Sequence, residues 1–145
     1  AICKVRADKP IETTKELSDI IKSAIPAANR IDGPHPAKRT FQAIRIEVNA
    51  ELDAITPTIK AASSNLVSTG RIAIISFHSL EDRIVKQTMA SWCTGCTCPK
   101  DFPVCVCGNT PRGKLKFKSL APSKEELERN SRNHRARLRS IEKLR

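Results

Sequence analysis

An almost unbroken apolar run, RIAIISF at residues 71–77, constrains the fold of this chain more than any other segment. Runs of this kind, rich in isoleucine, are typical of strands buried on both faces, as in a parallel sheet with helices on each side. The segment therefore predicts a central strand of an α/β domain. In such sheets ligands bind outside the carboxyl ends of the strands, so the residues that follow Phe77 are candidates for chemistry.

Helix signals stand on both sides of this predicted strand. Thr56 and Pro57 are typical of a helix N-cap and first helical position, and Gly70 is typical of a helix C-terminus. After the strand, Ser79 and Asp82 have the spacing of a capping box and predict that a helix follows. The order helix, glycine turn, buried strand and capped helix is the unit of a doubly wound sheet.

Two more helices are predicted near the N-terminus. Thr13 and Glu16 form a capping box for a helix that Pro26 ends, because proline offers no backbone donor. After a loop at 29–36, rich in Gly and Pro, a longer helix is predicted over residues 37–54. Its expected apolar stripe consists of Phe41, Ile44, Val48, Leu52 and Ile55.

The C-terminal part mixes strand and helix patterns. Residues 114–120 (KLKFKSL) alternate and predict a strand with one exposed face. Ser123 and Glu126 form a third capping box, for a short helix. The tail at 134–145 (HRARLRSIEKLR) fits a strand by its alternation and a helix by its apolar spacing, so both remain open.

The net charge of +11 is concentrated in the last 35 residues, which hold 12 lysines and arginines against 4 acidic residues. Such a tail attracts polyanions through counterion release, although a solvated surface explains it as well. With four Phe, one Trp and no Tyr, contacts with RNA are expected through Arg and Lys rather than through stacking. No apolar run approaches the ~20 residues of a membrane span, and no secretory signal is present. We therefore expect a cytoplasmic protein without membrane contact.

His78 and Ser79 directly follow the predicted strand and are the candidate catalytic residues. The N-terminus of the next helix would favour an anion or a developing negative charge there. The alternative is structural, with Ser79 capping the helix and His78 bonding locally. A nucleophilic serine is disfavoured, because no glycine-framed elbow surrounds Ser79.

Five of the six cysteines lie within an irregular segment at residues 91–113. Two close pairs across a short loop supply the four thiolates that a closed, structural zinc site needs. The expected ligands are Cys96, Cys98, Cys105 and Cys107, with Cys93 as an alternate. Free or redox-active thiols remain the alternative, because C-x-C pairs are less typical of zinc than C-x2-C pairs.

The segment HPAKRTFQAIRIEVN at residues 35–49 places cationic and polar side chains beside an apolar stripe. Arg39 and Arg45 offer planar donors suited to phosphate, and Gln42 could read a base edge. The pattern alone favours the simpler interpretation, an amphipathic helix with a solvated face.

Four segments, in the same order, resemble the MraW family of 16S ribosomal-RNA cytosine-N4 methyltransferases. They are KPIETTKELSDII at 9–21, HPAKRTFQAIRIEVNAEL at 35–52, GRIAIISFHSLEDRIVK at 70–86 and LAPSKEELERNSRNHRARLR at 120–139. Small departures occur at Thr69, where the family usually has Gly, and at Ser119 and Ser131, where it has Pro. The cysteine-rich insert is found in only some members.

The resemblance implies an α/β fold: the C-terminal part of a class I, Rossmann-like methyltransferase sheet with part of an inserted helical domain. Residues 1–55 would belong to the helical substrate domain, and residues 56–145 to the methyltransferase domain, with the tail as its last antiparallel strand. The implied reaction is methyl transfer from S-adenosylmethionine to the N4 amine of a cytidine in 16S ribosomal RNA of the small subunit. The implied RNA-facing residues are Arg39, Gln42, Arg45 and Asn49, with His78 and Ser79 near the base or the donor.

The family's glycine-rich donor loop has no counterpart here, because the five glycines form no G-x-G-x-x-G. The chain begins at Ala1 without a sequence typical of a domain start. We therefore expect a fragment that is inactive alone, with the donor-binding site mostly outside it. A sheet without its first strands exposes an unpaired edge, which favours instability or a homodimer. The competing interpretation is a basic, zinc-containing RNA-binding module without catalysis.

Overall fold

The computed structural model describes residues 1–30 and 35–144, in two compact units, Ala1–Glu51 and Leu52–Arg145. Residues 31–34 of the predicted loop lie outside the described residues. No described helix is both long enough and apolar enough to cross a membrane. The domain boundary expected between residues 55 and 56 stays a prediction.

The first unit is helical. It contains α1 (Ile2–Asp8), α2 (Thr14–Ala24), a 3-10 turn (Ala27–Asn29) and α3 (Lys38–Asn49). The predicted start of α2 is confirmed, because the Thr13 hydroxyl accepts the backbone N–H of Glu16 at 3.1 Å. The helix ends before Pro26, as expected from the missing backbone donor.

Helix α3 is shorter than predicted. It stops at Asn49 rather than near residue 54, because Ala50 adopts a left-handed conformation with φ of 49° and turns the chain out of the helix. The core face expected from its apolar stripe forms only in part: Phe41 is half-buried, but Val48 is 77% exposed, and Ile44 is exposed as well. The spacing of apolar residues therefore predicted an amphipathic helix correctly, but it did not predict which segment packs against that helix.

The second unit is a mixed α/β arrangement. It contains α4 (Ile55–Asn65), β1 (Arg71–Ser76), α5 (Ser79–Cys93), β2 (Gly113–Leu120), α6 (Lys124–Arg129), a 3-10 turn (Ser131–Arg135) and β3 (Arg137–Lys143). The sheet order is β1-β3-β2, and both pairs are antiparallel. The tail that fitted either strand or helix is thus the middle strand. The predicted cap of α6 is confirmed, since the Ser123 hydroxyl accepts the Glu126 N–H at 3.2 Å.

The core of this unit lies between the sheet and two helices, α4 and α5. Its fully buried members are Ile59, Val85, Met89 and Ile141. Ile72 and Ile74 of β1 pack against this cluster from the sheet, two residues apart and therefore on the same face. The apolar side chains of these strands and helices thus form one buried cluster.

The prediction that residues 71–77 form a central, parallel strand buried on both faces is wrong for this chain. Strand β1 is an antiparallel edge strand that pairs with β3 alone among the described strands. Its side chains alternate between half-buried and exposed, and Ile75 is 59% exposed. The physical reason is that α4 and α5 cover a single face of the sheet. An apolar run in the sequence does not show whether another layer of structure covers the second face of the strand.

The predicted limits of α4 are also wrong. The helix begins at Ile55, so Thr56 lies inside it rather than capping it, and it ends at Asn65 rather than at Gly70. Gly70 is still required, but for space: a Cβ atom there would lie 2.5 Å from the Leu66 Cγ atom. Close approach, rather than helix termination, explains this glycine.

The last strand holds the end of α4. The Lys143 ammonium donates to the carbonyls of Ser63 at 2.9 Å and Leu66 at 2.7 Å. Ser63 lies in the last helical turn and Leu66 is the C-cap residue, at the end of the helix where the dipole attracts a cation. Strand β3 therefore fixes the turn that leads into β1.

Within this turn, Thr69 carries backbone strain, because its φ of 65° is a left-handed conformation that β-branched residues avoid. We expect Thr69→Gly to raise the free energy of unfolding by about 0.5–1 kcal/mol, after the added entropy of the unfolded chain is deducted. Urea unfolding of the two chains measures this difference. Thr110→Gly, in an exposed loop without positive φ, is the control and should stabilise nothing. Equal midpoints for Thr69→Gly and the parent would contradict the strain.

Candidate functional site at the end of strand β1

The chain turns from β1 into α5 through Phe77 and His78, and His78 rather than Ser79 is the N-cap. Its Nδ1 accepts the Glu81 N–H at 3.4 Å, while the Glu81 carboxylate accepts the N–H groups of His78 at 3.2 Å and Phe77 at 2.9 Å. The predicted box of Ser79 with Asp82 is thus wrong by one residue. The backbone explains why: His78 is extended, and Ser79 is already helical.

This capping arrangement fixes the imidazole of His78. Because Nδ1 accepts a hydrogen bond, Nε2 carries the proton in the neutral ring. Nε2 lies 3.1 Å from Glu81 Oε1, but out of line for a hydrogen bond, and it has no partner of that kind among the described residues. Ser79, the first residue of α5, is exposed. The two candidates are therefore adjacent but different: one held in place, the other open to solvent.

One turn further, Asp82 and Arg139 form a bidentate ion pair that joins α5 to β3. The Arg139 Nε donates to Oδ1 at 2.7 Å and its Nη2 to Oδ2 at 2.9 Å. The Ser76 hydroxyl donates to Oδ1 at 3.3 Å, and the guanidinium also donates to the Lys118 carbonyl of β2. The Arg139 hydrogen bond holds the pKa of Asp82 below its usual value of 3.8. Through Ser76 and the Lys118 carbonyl, the pair thus links the end of β1 to α5, β2 and β3.

A cavity of about 490 Å³ lies beside α5 and β2, rather than at the end of β1. Its lining consists of Lys86, Met89, Ala90, Leu115, Lys118, Ser119 and Arg139. Neither His78 nor Ser79 is among these residues. The cavity is lined by apolar side chains and three cationic groups, of which Arg139 is already paired with Asp82.

The predicted RNA-facing residues of α3 occupy roughly a third of the helix circumference. Two of them are engaged by an acidic neighbour: Arg45 makes a bidentate pair with Glu51 at 2.9 and 3.0 Å, and the Asn49 amide donates to Glu51 at 3.1 Å. Arg39 is exposed, and Gln42 is half-buried. Arg39 and Gln42 are therefore better placed than Arg45 to meet a new partner.

The structure brings together the four cysteines that the sequence singled out. The Sγ atom of Cys96 lies 3.3 Å from that of Cys105 and 3.7 Å from that of Cys107, which is 3.5 Å from Cys105. Cys98 completes the group, in which all ligand atoms lie within 4.8 Å of one another. The alternate, Cys93, is instead the last residue of α5 and packs against the core.

Backbone donors surround these sulfurs. The N–H groups of Thr97 and Asn109 donate to the Cys107 Sγ at 3.4 and 3.5 Å and hold the pKa of that thiol at about 5. The Cys98 N–H lowers the pKa of Cys96, but contacts with the neighbouring thiols outweigh it and raise that pKa to about 11. Opposite shifts are expected where touching thiols share protons. The two shifts therefore belong to the touching thiols as a group.

Sequence reasoning missed the polar links across the sheet. Besides Asp82 and Arg139, Glu142 of β3 accepts from Lys116 of β2 at 2.8 Å and from Arg71 of β1 at 2.9 Å. These hydrogen bonds, that of Lys116 first, lower the pKa of Glu142. The available signal was the alternation of charge in residues 137–143. It could not be used while the tail fitted both strand and helix.

Comparison with known proteins finds a family and named relatives to which this chain is similar. The sequence pattern of the MraW methylase family matches residues 1–144. Three relatives carry the name ribosomal RNA small subunit methyltransferase H: from Heliobacterium modesticaldum at 56% identity, Clostridioides difficile at 55% and Caldicellulosiruptor saccharolyticus at 54%. Each alignment covers 99% of this chain and 46% of the relative. The chain thus spans about half the length of the curated relatives it matches.

Proposed function

Because the chain belongs to the MraW methylase family, we propose that it forms part of an enzyme that methylates the N4 amine of a cytidine in 16S ribosomal RNA. The observation that carries the proposal is the match of the family pattern to residues 1–144. The tip of β1, where the chain turns through His78 into α5, would border the site if β1 joins the parallel strands of an open α/β sheet. We propose a Rossmann-like sheet for the whole protein, in which further strands pair with the free edge of β1.

The methyl donor in this proposal is S-adenosylmethionine, which supplies an electrophilic methyl group when bound. We propose that the residues of this chain do not form its whole cradle, because the sequence lacks G-x-G-x-x-G. We therefore place the donor site mainly in the part of the relatives that lies outside the alignment. The contribution of this chain is to bind RNA and to shape the wall beside the reacting amine.

His78 and Ser79 have distinct proposed roles in that wall. The imidazole, fixed by Glu81 on one nitrogen, is a positioning residue that sets the path from β1 into α5. Ser79 is exposed, and we assign its hydroxyl a hydrogen bond to a base edge of the substrate. Methyl transfer needs an amine held in line with the donor, and positioning of this kind supplies much of the acceleration.

RNA contact is assigned to cationic and polar side chains. The 3-10 turn Ser131–Arg135 exposes Arg132 and Arg135, and α3 presents Arg39 and Gln42. Cationic contacts of this kind bind phosphates and orient RNA without aromatic stacking. The proposed partner is the 16S RNA of the small ribosomal subunit. Arg45 and Asn49 support the same helix face through Glu51.

The test uses a chimera in which this chain replaces the matching part of the H. modesticaldum relative. Methyl incorporation into unmodified 16S RNA is measured with labelled donor, and the nucleoside is identified as N4-methylcytidine by mass spectrometry. Arg39→Ala and Gln42→Ala should each lower kcat/KM for RNA about tenfold, as expected for the loss of one polar RNA contact. The KM for the donor should change little, because neither residue belongs to its site.

Lys60→Ala, which removes an exposed cation from α4, is the matched control and should leave kcat/KM unchanged. Equal effects of Arg39→Ala and Lys60→Ala would remove α3 from the RNA site. A chimera that binds RNA but transfers no methyl group would instead favour the non-catalytic basic RNA-binding module.

A further inference from the structure

We propose that Cys96, Cys98, Cys105 and Cys107 bind one structural Zn²⁺ ion, a property separate from methyl transfer. Thiolates hold zinc at about 2.3 Å, so the sulfurs of a tetrahedral site lie about 3.8 Å apart. The sulfur separations of 3.3, 3.5 and 3.7 Å approach this value. Three of the four sulfurs are therefore spaced nearly as zinc ligands are, and the Cys98 sulfur lies within 4.8 Å of them.

Disulfides do not account for this arrangement. A disulfide joins two sulfurs at about 2.05 Å and leaves other cysteines apart. Here all of these cysteines are unbonded, and each of Cys96, Cys105 and Cys107 has two sulfur neighbours at similar distances. A mutual cluster of this kind is what a central cation organises, because each thiolate must face the same point.

The loop itself supplies an independent reason for a metal. From Thr94 to Arg112 every residue except Gly95 and Cys98 is exposed, so apolar burial cannot order the segment. The base of the loop is closed by the Arg112 N–H, which donates to the Trp92 carbonyl at 2.8 Å. Small units without a core are commonly held by metals or disulfides. Metal coordination is thus the available source of order for the loop tip.

Hydrogen bonds from the loop itself surround the sulfurs. Gly108, with φ of 61°, turns the chain so that the Asn109 N–H meets the Cys107 sulfur at 3.5 Å. The Asn109 side chain then reaches across the loop to the carbonyls of Thr94 and Gly95. Donors of this kind orient thiolate ligands. With four sulfur ligands the site has no open position, so its role is structural rather than catalytic.

The test begins with the metal content of the 145-residue chain, purified under reducing conditions from zinc-supplemented medium. We expect about one zinc per chain, and at least a tenfold loss in Cys96→Ser and in Cys107→Ser, since each removes one of four ligands. Cobalt added to the metal-free chain should give the charge-transfer and visible ligand-field bands of tetrahedral thiolate coordination. Cys93→Ser, outside the cluster, is the matched control and should retain zinc.

A further measurement needs no variant to fold. Titration of the unaltered chain with a mercurial should release zinc in step with the modification of four thiols. Metal-free protein that gives no cobalt spectrum would overturn the proposal, as would masses that reveal disulfides among the four cysteines. Equal loss of zinc from Cys93→Ser would overturn the ligand set. None of these outcomes depends on methyl transfer, so the zinc site and the proposed enzyme fail or succeed separately.

Discussion

Asp82→Ala lowers the free energy of unfolding of this chain by about 2–3 kcal/mol, measured by urea unfolding followed by circular dichroism. The substitution leaves the Arg139 guanidinium without its bidentate partner at a site where its side chain is only 12% exposed. Breaking a fully buried ion pair would lower the free energy of unfolding further. Here the Asp82 side chain is 22% exposed, so water compensates part of the lost interaction. Arg139→Lys should lose an intermediate amount, because an ammonium keeps the charge but not the fork.

The same pair predicts a pH dependence with a definite sign. The folded state lowers the pKa of Asp82 below 3.8, chiefly through the Arg139 hydrogen bond, so the ionised carboxylate favours folding. Its contribution is complete above that unfolded value and declines as the pH falls toward the lowered folded pKa. The difference in stability between the parent and Asp82→Asn should therefore shrink below about pH 4. Comparing the two chains cancels Glu142, whose pKa is also lowered.

The control for this prediction is Asp101→Ala, in the exposed loop, which should change stability by less than about 0.5 kcal/mol. The double variant Asp82→Ala with Arg139→Ala should be less destabilised than the sum of the two single changes, because they remove one interaction. Additive effects would show that the two groups do not interact. A parent–variant difference that grows on acidification would contradict the sign of the pKa shift.

The second large effect concerns activity: the isolated chain should bind S-adenosylmethionine with a Kd weaker than about 1 mM and transfer no methyl group to 16S RNA. The physical reason is that its glycines form no loop suited to binding the donor. In addition, β1 lacks a second neighbour among the described strands. Calorimetric titration measures binding, and labelled-methyl incorporation measures activity.

The full-length H. modesticaldum relative and the chimera are the positive controls, and both should bind the donor. Adding the remaining part of that relative as a separate polypeptide should restore some activity if it pairs with the free edge of β1. Low-micromolar donor binding by the chain alone would contradict this division of the site. It would also require a donor cradle within residues 1–145.

Local signals in the sequence predicted the elements well, because local physics forms them. Thr13 and Ser123 cap the helices that their spacing indicates, and residues 71–76 form a strand. Cysteine spacing likewise brought Cys96, Cys98, Cys105 and Cys107 into one set, since a short loop leaves few other ways to join two close pairs. These features depend on neighbours within the chain and need no tertiary partner.

The sequence by itself thus determined most of the helices and strands, though not α1 or the strand in the tail, together with the resemblance to a methyltransferase family and the cysteine set. Tertiary structure alone decided that β1 lies at a sheet edge, that the ambiguous tail is the middle strand, and that His78 rather than Ser79 caps α5. The link of Asp82 to Arg139 was also hidden, because the two residues are far apart in sequence. Three of these four depend on which distant segment supplies a strand partner or an opposite charge, whereas the cap depends on where the backbone changes from extended to helical. The spacing of apolar or charged residues indicates that a side chain needs a partner, but it does not indicate which segment supplies that partner.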